Sequence, residues 1–410
     1  MKLKLSFKGQ KPNPQVNLPA SKSISNRLLI IQALCDHAFQ IHNLSEAEDT
    51  IILKAALTQN EPKVDLKMAG TAMRFLTAYY ALKGEAKVLE GHPRLLERPI
   101  GELVRVLTQM GGKVSFLKNN SFPPIKIHSA SALKGGFYEI DSSLSSQFLS
   151  ALLLIAPYLK SNFYLKPKGS AVSHPYLGMT MALMRQMGAS VQEKNHLIEV
   201  KNIPYTFDGE IEVEKDWSSA SFFYQMAAFG IDNILLKGLN QKTIQGDQKL
   251  AEVYQLFGVE TKYSSEGTWL CRSSKTKKKS IYLNMRDYPD LIPSLIVTAA
   301  VFGVETSITG VKTLRIKESN RVEALQKELL KIGKVLTDLD EDIICIQPSD
   351  LNTDLKLTFS SHNDHRMVMA LAPLVILFKN IKIEGAEMVK KSFPDYWEQL
   401  EKIGIQLERS

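Results

Sequence analysis

Helix-like segments of two kinds alternate six times along this chain, and that pattern restricts it to a layered repeat, because the first kind can be buried only inside one. Segments of the first kind are apolar almost all round and open on small polar residues: 21–34, 70–82, 145–156, 218–229, 290–302 and 363–378. Amphipathic segments lie between them, at 49–57, 99–110, 175–187, 247–257, 319–332 and 396–403. Five of these six stop at a glycine (Gly111, Gly188, Gly258, Gly333, Gly404), usually ahead of a short apolar or β-branched run. The unit is a helix, a left-handed cap and a strand, repeated. In four of the six buried helices the opening Ser, Thr, Asp or Asn stands beside Lys or Arg. Helix N-termini that carry cations attract anions.

Strand-like stretches at 125–128, 162–165, 197–200, 281–284, 307–311, 342–347 and 380–384 separate the helices, so the class is α/β or interleaved α+β. A chain of 410 residues exceeds one ordinary core. Six copies divide into two groups of three, joined near Glu214-Lys215-Asp216-Trp217, which predicts two pseudo-threefold domains with a cleft between them. The net charge of +8 favours anionic partners. Much of that excess lies in a serine-flanked run (Lys275, Lys277, Lys278, Lys279) read as a solvated hairpin tip, not a nucleic-acid patch. Three scattered cysteines, Cys35, Cys271 and Cys345, show no zinc or disulfide spacing and point to a reducing compartment. The first eight residues alternate like a strand, without a secretory apolar core, and no apolar run reaches the ~18 residues of a membrane span. A cytoplasmic protein is expected.

Candidate chemistry gathers at the starts of the buried helices. Leu18-Pro-Ala-Ser-Lys-Ser-Ile-Ser-Asn-Arg27 opens the first: Ser21 or Ser23 can cap it, and Lys22 and Arg27 stand where an anion would meet free backbone N–H groups. A capped helix whose cations reach solvent would look the same. In Ala69-Gly-Thr-Ala-Met-Arg74, Gly70 permits close backbone approach to a ligand and Thr71 is expected to cap. Arg98 precedes an amphipathic helix with Pro99 in its first turn. Ser145, Ser146 and Gln147 are more polar groups than one cap requires, and Ser173-His174-Pro175-Tyr176 adds a hydroxyl pair. Asp290 and Glu318 supply a candidate base and acid, although Lys317, Glu318 and Arg321 alone also read as a helix salt-bridge pattern. Ser360-Ser-His-Asn-Asp-His365-Arg366 carries His, Asp and Arg into a buried helix, a costly arrangement without partners, and Lys390-Lys391-Ser-Phe-Pro-Asp-Tyr396 follows near the C-terminus.

Taken together, the stretches 18–27, 69–73, 145–149, 245–247, 317–321, 363–367 and 392–396 resemble, in order and spacing, the 5-enolpyruvylshikimate-3-phosphate synthase family, across nearly the whole chain. The resemblance implies a two-domain fold, each domain three βαβαββ units, with residues 1–19 and 217–410 in one, 20–216 in the other, and the active site in the cleft. It implies transfer of the enolpyruvyl group of phosphoenolpyruvate to the 5-hydroxyl of shikimate-3-phosphate with release of phosphate, without metal or organic cofactor, by a monomer that needs neither nucleic acid nor membrane. Carried over by motif, Lys22, Ser23, Arg27, Ser145, Ser146, Gln147, Ser173, Tyr176, Asp290 and Lys317 would hold shikimate-3-phosphate. Lys22, Gly70, Arg98, Gln147, Arg321, His365, Arg366 and Lys391 would surround phosphoenolpyruvate. Glu318 would protonate the methylene carbon, with Asp290 as base at the 5-hydroxyl and Lys22 assisting. Two polyanions can share a site only if several cations offset their repulsion, which this set provides.

Four departures stand out. Met68 replaces the family's asparagine, with Lys67 as the obvious substitute donor; Phe75 replaces a proline; Thr313 replaces an asparagine that contacts shikimate-3-phosphate; and the segment between Asp49 and Met68 is short, so one repeat should lack part of its strand layer. The sister transferase acting on UDP-N-acetylglucosamine is disfavoured, because its catalytic cysteine falls where this chain has Pro93 and its first motif reads Lys-Asn where this one has Lys22-Ser23. A non-catalytic anion binder on the same scaffold would need neither Asp290 nor Glu318.

Overall fold

The computed structural model describes residues 1–35, 39–130, 132–143, 145–169, 173–273 and 279–409, so of the lysine-rich run only Lys279 is covered. The chain forms two units, one continuous (Ser21–Val213) and one split (Met1–Ala20 with Glu214–Ser410).

The continuous unit contains helices α1 (Lys22–Leu34), α2 (Glu48–Thr58), α3 (Gly70–Lys83), α4 (Pro93–Leu96), α5 (Gly101–Gln109), α6 (Ser146–Ile155) and α7 (His174–Gln186). Strand Lys63–Asp65 runs parallel to Lys87–Glu90, with α3 as the crossover that parallel pairing demands, and α5 then leads into the antiparallel strands Val114–Phe116 and Ile125–Ile127. The same order recurs with Gly136–Asp141, α6, Phe163–Lys168, α7, Val191–Lys194 and Leu197–Val200. In the third repeat, among the described residues, Glu210–Glu212 pairs only with Gln40–His42. Among the described residues, α2 ends at Thr58 and the next strand starts at Lys63, so the antiparallel pair expected to be shortened is absent. Helices α1, α3 and α6 pack against one another. On α6, Phe148, Leu152, Leu153, Leu154 and Ile155 are at most 1% exposed. Each such side chain contributes roughly 1.5–3 kcal/mol on burial.

The split unit carries α8 (Trp217–Ala228), α9 (Leu250–Gln255), α10 (Ile292–Phe302), α11 (Arg321–Leu330), α12 (His365–Leu371), α13 (Val375–Phe378) and α14 (Tyr396–Ile403). Among the described residues it has three sheets of four strands each, and the N-terminal strand Lys2–Phe7 completes one of them between Asn380–Glu384 and Ile405–Arg409. α8, α10 and α12 lie in one continuous apolar core.

The amphipathic segments end as expected, on Gly111, Gly188, Gly258, Gly333 and Gly404, all with positive φ. Three boundaries differ for identifiable reasons. The segment expected over 363–378 starts at His365, because His362 and Asn363 are left-handed, and it breaks into a 3-10 turn at Ala372–Leu374, where Pro373 has no N–H to give. The 319–332 helix starts at Arg321, with Asn320 accepting from Glu323 N at 3.3 Å as its cap, so Glu318 and Ser319 stand outside it. The 247–257 helix opens as the 3-10 turn Gly246–Lys249.

Candidate active site

In the continuous unit, the polar starts of α1, α3, α6 and α7 carry the predicted residues. Ser21 caps α1, its hydroxyl accepting from Ile24 N at 3.5 Å, which resolves the choice between Ser21 and Ser23. Lys22 donates to Asp49 Oδ2 at 3.0 Å, across to the first turn of α2. Arg27 is 3% exposed and is held by neutral acceptors: Nε donates to Thr180 Oγ1 at 2.7 Å, and the terminal nitrogens to Ser23 O at 2.9 Å, Ser150 Oγ at 3.1 Å and Tyr176 O at 3.2 Å. Burial pulls its pKa down to about 10, with Tyr176 opposing, so the guanidinium is still charged at neutral pH. Its Cζ also lies 5.5 Å from the centroid of Phe75, which gives this cation an aromatic face.

Arg98, 8% exposed, lies against Gly70 so closely that a Cβ on the glycine would sit 2.7 Å from its Cζ. Gly70 is thus closely approached by a side chain of the protein itself. Thr71 does not cap α3. The N-cap is Ala69, which has no side-chain acceptor, and Thr71 Oγ1 accepts from Gln147 Nε2 at 3.1 Å. Ser145 caps α6 through Gln147 N at 3.2 Å, and Ser146 occupies the first helical position. Ser173 is the left-handed N-cap of α7 (φ 60) and makes no side-chain cap bond, while Tyr176 stands in the first turn. Pro99 lies outside α5, whose N-cap is Ile100, and its carbonyl accepts from Arg74 at 2.6 Å. Lys67, the expected substitute for the asparagine, has a left-handed backbone (φ 49) and pairs with Asp65 Oδ2 at 2.5 Å.

The split unit gathers cations and carboxylates more densely. Arg321, at the first position of α11 and 1% exposed, donates from Nε to Asp364 Oδ2 at 2.7 Å, and from one terminal nitrogen to Asp364 Oδ1 at 3.3 Å and Glu318 Oε2 at 2.9 Å. Asp290 Oδ1 lies 3.8 Å from the other terminal nitrogen. Burial alone would lower the Arg321 pKa, but Asp364, Glu318 and Asp290 more than offset it and push it up. Arg366 donates to Asp290 Oδ2 at 2.7 Å, to Asp290 O at 2.8 Å and to Ser218 Oγ at 3.1 Å. His365 is 1% exposed, with Nδ1 3.6 Å from Asp364 Oδ1. Lys391, 5% exposed, ends the 3-10 turn Ala386–Lys391, and Lys317 follows the 3-10 turn Lys312–Ile316. Thr313, on that turn, is 8% exposed, and among the described residues its hydroxyl has no hydrogen-bond partner.

The residues that linear reading did not assign are mostly partners of those it did. Asp49, Thr71, Ser150, Thr180, Ser218 and Asp364 each hold a predicted residue. Asp364 stood out in the sequence only as part of the run of His, Asp, His and Arg entering a buried helix; in the structure it caps α12 by accepting from Arg366 N at 2.9 Å. The Gln245 motif ties down α8: Gln245 Oε1 accepts from Trp217 N at 3.1 Å and Nε2 donates to Lys215 O at 2.8 Å.

Chemically, each unit presents buried guanidinium groups, Arg27 and Arg98 in one and Arg321 and Arg366 in the other, and the split unit adds three carboxylates within reach of its two arginines. Such a set can orient carboxylate and phosphate groups and exchange protons beside them. Comparisons with known proteins bear on which anions these are. A family model described as EPSP synthase (3-phosphoshikimate 1-carboxyvinyltransferase) matches residues 51–400. The 3-phosphoshikimate 1-carboxyvinyltransferase of Bacteroides fragilis strain YCH46 is 38% identical over 397 residues, covering 95% of each chain. The protein of that name from Shewanella halifaxensis is 36% identical over 419 residues, covering 95% of this chain and 96% of the relative. Among solved structures, an EPSP synthase from Acinetobacter baumannii superposes with a TM-score of 0.76 at 22% identity over the whole of both chains, a likeness of fold.

Proposed function

The chain belongs to the EPSP synthase family, and from that premise we propose that it transfers the enolpyruvyl group of phosphoenolpyruvate to the 5-hydroxyl of shikimate-3-phosphate and releases phosphate, on the shikimate route to chorismate and aromatic amino acids. The observation that carries this reading is the Asp290–Arg366–Arg321–Glu318 constellation, in which a candidate base and a candidate acid are each bonded to a buried arginine suited to a donor anion. An anion binder has no use for two carboxylates there, since each weakens the hold on an anion.

In this reading Asp290 takes the proton of the 5-hydroxyl, with Lys22 assisting, as its oxygen bonds to C2 of phosphoenolpyruvate. Glu318 delivers a proton to C3, giving a tetrahedral adduct with a methyl group. Breaking the C2–O bond to phosphate and removing a methyl proton then yields the enol ether and inorganic phosphate. Arg98, Arg321, Arg366 and Lys391 offset the donor's charge, with Gly70, Gln147 and His365 lining its place. Ser23, Arg27, Ser145, Ser146, Ser173, Tyr176 and Lys317 hold the acceptor, joined by Lys22, Gln147 and Asp290. Bidentate guanidinium groups fix orientation, which accounts for arginine where a point charge alone would be supplied by lysine. The two units described above serve as the two domains of a cytoplasmic monomer. Among the described residues no helix is long and apolar enough to cross a membrane.

The test is phosphate release from phosphoenolpyruvate offered either shikimate-3-phosphate or UDP-N-acetylglucosamine. Release with the first alone is expected. Release with the second alone, or with neither, would overturn the assignment.

A further inference from the structure

The reaction leaves one deeply buried carboxylate of α11 without a role. Glu328, 2% exposed, stands seven positions after Arg321, which places both residues on one face of the helix. Both grip the same short turn. Arg321 holds its far end through Asp364, at 2.7 Å. Glu328 holds its near end, with Oε2 accepting from Ser360 N at 3.1 Å and Oε1 contacting His362 Nε2 at 2.8 Å, while Lys331 Nζ donates to Oε2 at 2.6 Å.

His362, held by Glu328, and Asn363 beside it are consecutive non-glycine residues with φ of 49° and 57°. Left-handed backbone of this kind persists only where its surroundings hold it. The turn's other bonds include His362 N to Ser360 Oγ at 3.2 Å, Asn363 N to Ser361 Oγ at 3.2 Å, Asp364 N to Ser361 O at 2.9 Å, Ser361 N to Glu384 O at 2.9 Å, and Ser319 Oγ to Asp364 Oδ2 at 3.1 Å. Asp364, next along the chain, orients Arg321 and caps the helix that carries Arg366. A shift of the turn therefore moves both arginines.

We propose that Glu328 is a positioning residue for the phosphoenolpyruvate half of the site: by clamping Ser360 and His362 to α11 it sets the Asp364 carboxylate, and through it the guanidinium groups of Arg321 and Arg366. The proposal deepens the functional reading above and rests on the assignment of those arginines to the donor. An anchor that only stabilised α11 would have no reason to affect one substrate more than the other.

Initial-rate kinetics, run well below each variant's unfolding temperature, separate these roles. Glu328→Ala and His362→Ala are each expected to raise KM for phosphoenolpyruvate by about tenfold, with KM for shikimate-3-phosphate changed by less than about twofold. Glu328→Gln keeps an acceptor for Ser360 N and a partner for His362, and should recover most of the loss. Because the two residues form one contact, the double alanine variant should be no worse than the more damaging single one. Arg321→Ala is measured alongside. If it raises KM for phosphoenolpyruvate while Glu328→Ala and His362→Ala lower only thermal stability, or raise both KM values alike, the clamp is overturned and the donor assignment survives. A silent Arg321→Ala overturns the donor assignment and the clamp with it.

Discussion

Arg366 grips Asp290 twice, donating to its carboxylate Oδ2 at 2.7 Å and to its main-chain carbonyl at 2.8 Å. The carboxylate assigned as base is thus fixed by the cation assigned to the donor, so one substitution should separate proton transfer from binding. Asp290→Asn keeps the shape and removes the basicity. We expect kcat to fall by about 10²–10⁴-fold, the usual loss for a general base, while KM for phosphoenolpyruvate stays within a few-fold. A kcat within a few-fold of the unaltered enzyme would remove Asp290 from that role.

Glu318 stands at the end of the Arg321 chain, at 2.9 Å from a guanidinium nitrogen. Glu318→Gln preserves the contact and cannot donate an acidic proton, so single-turnover kinetics should slow by about 10²–10⁴-fold. Calorimetry should show both substrates still bound. Weak binding with normal turnover would mean that Glu318 only orients Arg321.

Gly70→Ala places a methyl group against the Arg98 guanidinium, where no room exists for it. Arg98 must move, and both phosphoenolpyruvate and glyphosate, which resembles the donor, should bind more weakly. Superimposable titrations of the two proteins would show that Arg98 does not contact the donor.

The thioether of Met68 has no N–H to donate where the family resemblance implies an asparagine, and Lys67 is drawn toward Asp65 at 2.5 Å. One hydrogen bond to a charged group is worth roughly 1.5–3 kcal/mol, on the order of 10–100-fold in affinity. Met68→Asn should therefore tighten phosphoenolpyruvate and glyphosate together, while Lys67→Ala changes little. The opposite pattern would show that Lys67 leaves Asp65 to bind the donor.

Burial would raise the pKa of Glu328, but His362, Lys331 and the Ser360 N–H outweigh it and hold the carboxyl below its ordinary 4.5. A carboxyl depressed in the folded state adds stability above its unfolded pKa and loses it as pH falls through the folded value. The stability gap between the unaltered protein and Glu328→Gln, read from denaturant midpoints, should be constant near neutrality and shrink below about pH 4.5. A gap that is flat down to acid unfolding would contradict the depressed carboxyl.

Much of this protein was legible along the chain because its signals are local. The alternation of all-round apolar and amphipathic segments, ended by Gly111, Gly188, Gly258, Gly333 and Gly404, depends on helix periodicity and on backbone conformations that glycine adopts cheaply. The short 49–68 segment foretold the two-stranded sheet, since residues that are missing cannot form strands. The cations at helix starts were visible for the same reason.

Partnership was not legible, because it joins residues far apart in the chain. Nothing linear pairs Lys22 with Asp49, Arg27 with Thr180, or Gln147 with Thr71; packing of the buried helices decides these. Thr71 looked like a cap because hydroxyls at helix starts usually are, and a donor 76 positions away claimed it instead. Phe75 looked like a bare departure until folding laid Arg27 over its ring. The sequence by itself therefore determined the repeat, the class and the residue types of the site. Only the tertiary structure decided which carboxylate or hydroxyl holds each cation, because a buried charge takes its partner from whatever the packing brings within reach.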